Sequence, residues 1–153
     1  MLKEEMEPVF FGDKDNDLVK RCLQALRWYG MAVRDIFRPD KFLKFVTALE
    51  VLVLTGQYNG EYGLTEEFGE NLSTLLSHPK KTKEQIKKEM KKIYSIRSSI
   101  VHSADDNKLK EEHITRVQNQ CRIIICALAD NVSKYEDFNK FLEYVVELRS
   151  KTS

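Results

Sequence analysis

Apolar residues return at intervals of three and four along almost the whole chain, the repeat of one face of an α-helix, and little else can satisfy that pattern. Leu18, Cys22, Ala25/Leu26, Tyr29, Val33 and Ile36/Phe37 form one stripe, with Asp17 as the expected N-cap. Phe42, Phe45/Val46, Leu49 and Leu52/Val53 form the next, entered through Pro39 in its first turn. The stretch GQYNGEYG (56–63) reads as a turn, with Asn59-Gly60 suited to positive φ, and a short helix follows from Thr65 to Ser77. Pro79 ends that element, and Thr82-Lys-Glu-Gln85 is a capping box for a helix carrying Ile86, Met90 and Ile93. Ile114, Val117, Cys121, Ile124/Ile125 and Leu128 share a further face. Ser133-Lys-Tyr-Glu136 reads as a second capping box, ahead of Phe138, Phe141/Leu142, Val145 and Leu148. Strand alternation is confined to EPVFF near the start. The expectation is an all-α, single-domain bundle of five to six helices over residues 15–150. An N-terminal arm (1–14) precedes it, and its structure the sequence leaves open.

A chain of 153 residues is long enough for one domain with a core and short for two. With 25 basic against 24 acidic residues, net charge singles out no partner, so the distribution of charge has to carry the argument. Cys22, Cys121 and Cys126 lack CxxC spacing and fall on helical stretches, which fits free buried thiols in a reducing cytosol better than disulfides or zinc. His78, His102 and His113 show no HExxH-type spacing, and no phosphate-binding glycine loop occurs; both points argue against metalloenzyme, ATPase or kinase chemistry. No metal or cofactor is expected. Met1–Asp17 lacks the apolar core of a signal peptide, and the apolar run Phe42–Leu54 is broken by Lys44, Thr47 and Glu50. The expected location is cytoplasmic, with no membrane contact.

Two charges interrupt this apolar order. Along IYSIRSSIVH (93–102) and the turn before it, the stripe runs Ile86, Met90, Ile93, Arg97, then Ile100 and Val101, so a guanidinium occupies a core position. In FVTALEVLVL (45–54), Glu50 has Val46, Thr47, Val53 and Leu54 as its helical neighbours. Either this carboxylate leans to solvent at the stripe's edge, or it is partly buried and paired, because a lone buried charge costs several kcal/mol. Arg97 is the candidate partner, since guanidinium and carboxylate match as a two-toothed fork. Such a pair can simply fix helix register, or it can hold Arg97 aimed at a substrate anion.

His102 bears on that choice. Five residues of helix turn it about 140° away from Arg97. The following HSADDN signals a helix end, and unwinding at Val101 would let the imidazole swing back toward the arginine. A helix C-terminus favours the imidazolium, and histidine exchanges protons near neutral pH.

Arg97-Ser-Ser-Ile-Val-His102 is an R-x4-H arrangement at a helix end. Together with ALEVLVL (48–54) and the long helix of 111–130, it resembles the HEPN superfamily, and more narrowly its ApeA-like branch, over most of the chain from about residue 18. The resemblance implies a metal-independent endoribonuclease of toxin or anti-phage defence systems. It also implies a homodimer in which two R-x4-H segments face one cleft, with an antitoxin or other regulatory partner. His102 would be the general acid or base at the ribose 2′-OH and leaving oxygen. Arg97 would neutralise the phosphorane, and Glu50 would orient Arg97. Ser98 stands where many members carry a larger polar residue. Position 104 is Ala, so the R-x4-H-x-Y form modified by a partner nucleotidyltransferase is not met. The alternative is a catalytically silent HEPN module used for dimerisation and for binding RNA or nucleotides. An unrelated helical interaction domain, with Arg97–Glu50 a mere ion pair, would instead turn His102 to solvent, away from any pocket.

Upstream of the motif, HPKKTKEQIKKEMKK (78–92) holds seven lysines against two glutamates. Lys83, Lys87 and Lys91 form one row, with Lys88 and Lys92 beside it. Lys87, Lys88, Lys91 and Lys92, with Ser98 and Tyr94, are the candidate RNA contacts, Tyr94 either stacking on a base or packing. The same lysines could be a plain solvated face. They could also meet the acidic stretch EYGLTEEFGE (61–70) of a second subunit.

Overall fold

A computed structural model describes residues 2–56 and 60–152. Among them are seven helices and no sheet: α1 (Leu2–Phe11), α2 (Asp17–Arg34), α3 (Arg38–Val53), α4 (Gly60–Leu75), α5 (Lys83–Ser103), α6 (Glu111–Ala129) and α7 (Phe138–Thr152). The seventh relative to expectation is α1. EPVFF is helical and not extended, and Val9 is fully buried where α1 packs against α2 and α6. None of the helices is long and apolar enough to cross a membrane.

Helix α3 is the axis of the fold. It packs on α2, α4, α5 and α6, and Phe42, Phe45, Val46, Ala48, Leu49, Leu52 and Val53 are all fully buried. A helix apolar on nearly every side belongs in the middle of a bundle. A carboxylate in its last turn is therefore close to the core by construction. Helices α4 and α5 form a second pair laid against this centre, with α7 closing over α4.

The helix ends explain several departures from the sequence pattern. Asn16, not Asp17, caps α2: its side-chain oxygen accepts from Val19 N at 3.2 Å, and its amide donates to Val132 O and Tyr135 O. Asp17 sits inside the first turn and accepts from Phe138 N at 3.0 Å. Helix α2 ends at Arg34, where Asp35 accepts from Phe37 N at 2.9 Å in an Asx-type turn. Ile36 and Phe37 therefore leave the stripe and stand 96% and 60% exposed. The Thr82–Gln85 capping box is present with both of its bonds. The one expected at Ser133–Glu136 is replaced by Asp137, which accepts from Lys140 N at 2.9 Å. Helix α4 begins at Gly60, so Gly60–Gly63 is helical and not a turn, while Asn59 lies outside the described residues.

Cys22 and Cys121 are buried, and desolvation pushes the Cys22 thiol up to about 12 and the Cys121 thiol up as well. Both thiols face backbone carbonyls, of Ile125 and Phe45. Thiols held so firmly in the neutral form are packing groups.

Candidate active site

Arg97 and Glu50 meet at the edge of the core. Arg97 Nε lies 3.3 Å from Glu50 Oε1, with side-chain exposures of 25% and 13%. The closest approach is through Nε, and the expected two-toothed fork of hydrogen bonds is not formed. The Arg97 guanidinium carbon sits 5.6 Å from the Tyr94 ring centroid, one turn back on α5. The Tyr94 hydroxyl is hydrogen-bonded to Glu50, so the carboxylate has two donors from the same helix. Burial nevertheless dominates: it raises the Glu50 pKa, and the opposing pulls of Arg97 and Tyr94 do not cancel it.

The arginine is turned less far inward than its stripe suggests. Ile86, Met90, Ile93, Tyr94 and Ile96 carry the buried face of α5, whereas Val101 is half exposed. Beyond Ile96, Arg97 to Ile100 are half-buried, with Ile100 still packed on the core, and the final turn from Val101 is exposed. Arg97 stands where burial begins to fall off along α5, and its side chain is a quarter exposed.

Helix α5 does not unwind at Val101. It stays helical to Ser103, and Ala104 alone turns left-handed (φ 50°), its N–H returning to Ser99 O. His102 is consequently exposed, about 140° around the helix from Arg97. Even so, the two side chains border the same open cleft of about 620 Å³, with Glu50 and Tyr94 on its wall. Thr47 and Val51 of α3, Leu54 at its C-cap and Leu64 of α4 complete it. Thr47, Glu50 and Val51 are spaced i, i+3 and i+4, one face of α3, and Leu54 caps its end. That spacing was readable in the sequence but hidden among core residues of the same helix.

The end of α3 that carries Glu50 is clamped from three directions, none foreseen from sequence. Arg21 donates through Nη1 to Leu54 O (2.9 Å), Val51 O (3.1 Å) and Leu52 O (3.4 Å). Its Nε pairs with Asp17 Oδ2 at 2.9 Å, and its guanidinium carbon stands 4.9 Å from the Phe138 ring centroid. Asn71 donates to Val53 O at 2.7 Å. Glu67, 2% exposed, accepts from Thr55 N at 2.7 Å and from the Thr55 hydroxyl. The bonds from Arg21 and Asn71 take up carbonyls that a helix C-terminus leaves without partners.

The remaining sequence candidates divide sharply. Tyr94 is 2% exposed and packs on Phe68 at a centroid distance of 5.0 Å; it has no open face for a base and serves as a wall and a donor to Glu50. Ser98 is half-buried and does not border the cleft. Lys87 pairs with Glu70 (3.0 Å) and Glu66 (3.3 Å), and Lys91 pairs with Glu66. Lys83 joins Glu70 at 2.5 Å. The acidic stretch therefore meets the Lys83–Lys87–Lys91 row of its own chain, along the α4–α5 contact. A Cβ at Gly69 would come 2.8 Å from Lys91 Cγ, so a glycine is what lets the two helices approach this closely. The pairing pulls both carboxyls down, Glu66 through Lys91 first and Glu70 through Lys83 first, and Glu70 pushes Lys87 up. Lys88 and Lys92 stay exposed.

Comparison of the chain with protein-family models, with curated proteins and with solved structures finds no match. The functional reading therefore rests on the residues themselves and on the motif resemblance.

Proposed function

We propose that this chain is a metal-independent endoribonuclease of HEPN type. RNA carries its own nucleophile, the ribose 2′-OH, so the protein has only to move a proton and to stabilise charge on the phosphorane. His102 would take the 2′-OH proton or give one to the leaving 5′-oxygen. Arg97, a quarter exposed on the wall of the cleft, would meet the non-bridging oxygens. Glu50 would act as a positioning residue, fixing Arg97 through Nε and leaving the other guanidinium donors for substrate. The product would be a 2′,3′-cyclic phosphate.

The observation that carries this reading is that Glu50, Arg97 and His102 border one open cleft. Among the described residues that cleft is open to solvent, and His102 stands exposed on its rim. A second copy of the chain, bringing its own Arg97 and His102, would enclose the phosphate and exclude water. The biological setting proposed is a toxin or anti-phage system with a restraining partner.

A second reading, a HEPN module that binds without turnover, draws on the apolar floor of the cleft (Val51, Leu54 and Leu64), which would suit a base or a peptide side chain.

One experiment separates the two: incubation of a labelled mixed-sequence RNA with wild type, Arg97→Ala and His102→Ala in the presence of EDTA, all three matched for helicity. Ribonuclease activity predicts cyclic-phosphate ends from wild type and none from either folded variant. An inert wild type that still binds the RNA would favour the binding module. Cleavage persisting in both variants would remove the site assignment.

A further inference from the structure

The seven lysines of residues 78–92 do not form one surface. Three of them, Lys83, Lys87 and Lys91, are engaged with Glu66 and Glu70 of α4. Lys81 is paired with Glu89 at 2.7 Å. Lys80, Lys88 and Lys92 remain, exposed and with no carboxylate in ion-pair distance among the described residues. These three gather in a cleft of about 570 Å³ with Lys81, Gln85 and Glu89. Its walls hold four lysines and a single carboxylate. That carboxylate is already committed twice, to Lys81 and to Arg116 of α6 at 3.2 Å. Lys80, Lys88 and Lys92 thus share one concavity whose single carboxylate is already paired, an arrangement that favours an entering anion.

The cleft is also continuous with His102 along one helix face. Lys88, Lys92, Ser95, Ser99 and His102 follow at intervals of four, three, four and three, and all are exposed except Ser99, which is half-buried. From Lys88 to His102 this row spans about 21 Å of helix. Arg97 is not on it, lying instead on the side of α5 that faces α3. His102 is thus the residue at which the outer row of α5 and the Glu50–Arg97 cleft come together. Positive potential on this side is felt at His113, 4% exposed at the start of α6: burial first, and then Lys92, pushes its pKa below the ordinary histidine range.

We infer that the Lys80–Lys88–Lys92 cleft holds backbone phosphates of a single RNA strand, which then runs along the Ser95–Ser99 face of α5 to present one ribose at His102. This inference rests on the ribonuclease reading for its endpoint, but the phosphate site itself needs no cleavage. A single strand fits better than a duplex, because the row is one side chain wide and in-line attack by a 2′-OH requires a nucleotide free to turn. Serine hydroxyls between the lysines and the histidine can donate to phosphate or 2′-OH oxygens without the long-range pull that would fix the strand in one register.

The test measures binding of a labelled mixed-sequence RNA, too short to fold on itself, to the full-length His102→Ala chain over a range of salt concentrations. Lys88→Gln/Lys92→Gln in that background should weaken binding and lower the slope of log K against log salt by about 1.4, two phosphate contacts' worth for a single strand. Lys87→Gln/Lys91→Gln removes the same formal charge from the paired row and should leave the slope nearly unchanged. Equal slopes for both pairs, or a larger change for Lys87/Lys91, would overturn the assignment. Loss of the Lys88/Lys92 effect while wild type still cleaves would refute the track alone. A His102→Ala chain that binds no RNA even at low salt, together with an inert wild type, would refute track and ribonuclease reading together.

Discussion

The Glu50–Arg97 pair should be lopsided: removing the arginine should cost far more than neutralising the glutamate. Glu50 is 13% exposed, and its pKa is raised although Arg97 and Tyr94 both donate to it. Desolvation of the carboxylate therefore exceeds what its partners return. Glu50→Gln keeps an oxygen acceptor and removes the desolvated charge, and Arg97, a quarter exposed, can turn to water; stability should stay within about 0.5 kcal/mol of wild type. Arg97→Ala instead leaves the carboxylate with Tyr94 alone. Breaking a fully buried pair costs about 3–5 kcal/mol, and the exposure of Arg97 with the surviving tyrosine bond reduces that to about 2 kcal/mol near neutral pH.

The pH dependence carries the sign. A carboxyl whose pKa is raised by folding binds more protons in the native state than in the unfolded chain. Its contribution is present in full below the unfolded pKa and is lost as pH rises through the folded one. In Arg97→Ala that loss grows, so the penalty should shrink as the medium is acidified and Glu50 takes up its proton. In Glu50→Gln the Glu50 component of the pH profile should vanish. Urea unfolding followed by circular dichroism, repeated from mildly acidic to neutral pH, reads all of this. For a chain of this size, about 2 kcal/mol corresponds to about 4–8 °C in Tm. If Glu50→Gln costs as much as Arg97→Ala at neutral pH, the carboxylate charge is a net stabiliser and the desolvation argument is wrong.

Arg21→Ala should destabilise the fold by about 2–4 kcal/mol, since it strips the carbonyls of Val51, Leu52 and Leu54 of their donor and removes the guanidinium from Asp17 and Phe138. Hydrogen exchange should show the loosening concentrated in the last turn of α3, and uniform loosening would refute a local clamp. At His113 the lowered pKa means that the unfolded chain binds the proton more readily, so the contribution is present above the unfolded pKa and is lost as pH falls through the folded one. His113→Gln should flatten the acid side of the stability profile, and an unchanged profile in urea titrations would refute that assignment.

Helices α2 to α7 were legible because their apolar faces are long and their turns marked by capping residues or proline, and the approach of Glu50 to Arg97 followed from two charges standing on core stripes. What escaped had no local signature or a misleading one. Helix α1 holds the run Val9-Phe10-Phe11, but Phe10 and Phe11 are largely exposed and only Val9 is in the core, so its pattern is not that of an amphipathic helix. The Arg21 clamp joins residues about thirty positions apart, and nothing near Arg21 announces the carbonyls it will reach. The pairing of the Lys83–Lys87–Lys91 row with Glu66 and Glu70 was half legible. The two rows share a four-residue spacing, yet only the α4–α5 packing, with Gly69 at the contact, decides that they meet within one chain.

These differences bear on how the cleft can work. Its α3 wall is stiff: the last carbonyls of that helix are held by Arg21 and Asn71, and Thr55 just beyond them is held by Glu67. Its α5 wall is fully buried only as far as Ile96; beyond it Ile100 packs partly buried on the core, Val101 to Ser103 are exposed, and the helix ends on a left-handed alanine. A non-glycine residue in that conformation costs about 1–2 kcal/mol, which weakens the helix end next to His102. On the proposed ribonuclease reading, Arg97 is fixed through Glu50 to the rigid wall, while His102, the group proposed to transfer the proton, rides on the weaker end of α5. For chemistry at a phosphorus centre that division is workable. Charge stabilisation depends on donors already in place when the phosphorane forms. A general acid or base has only to come within hydrogen-bond reach, and such contacts often tighten only once substrate is bound. Docking of a second copy, or of an RNA strand along the outer row of α5, would press on the yielding wall and bring His102 toward a phosphate held at Arg97.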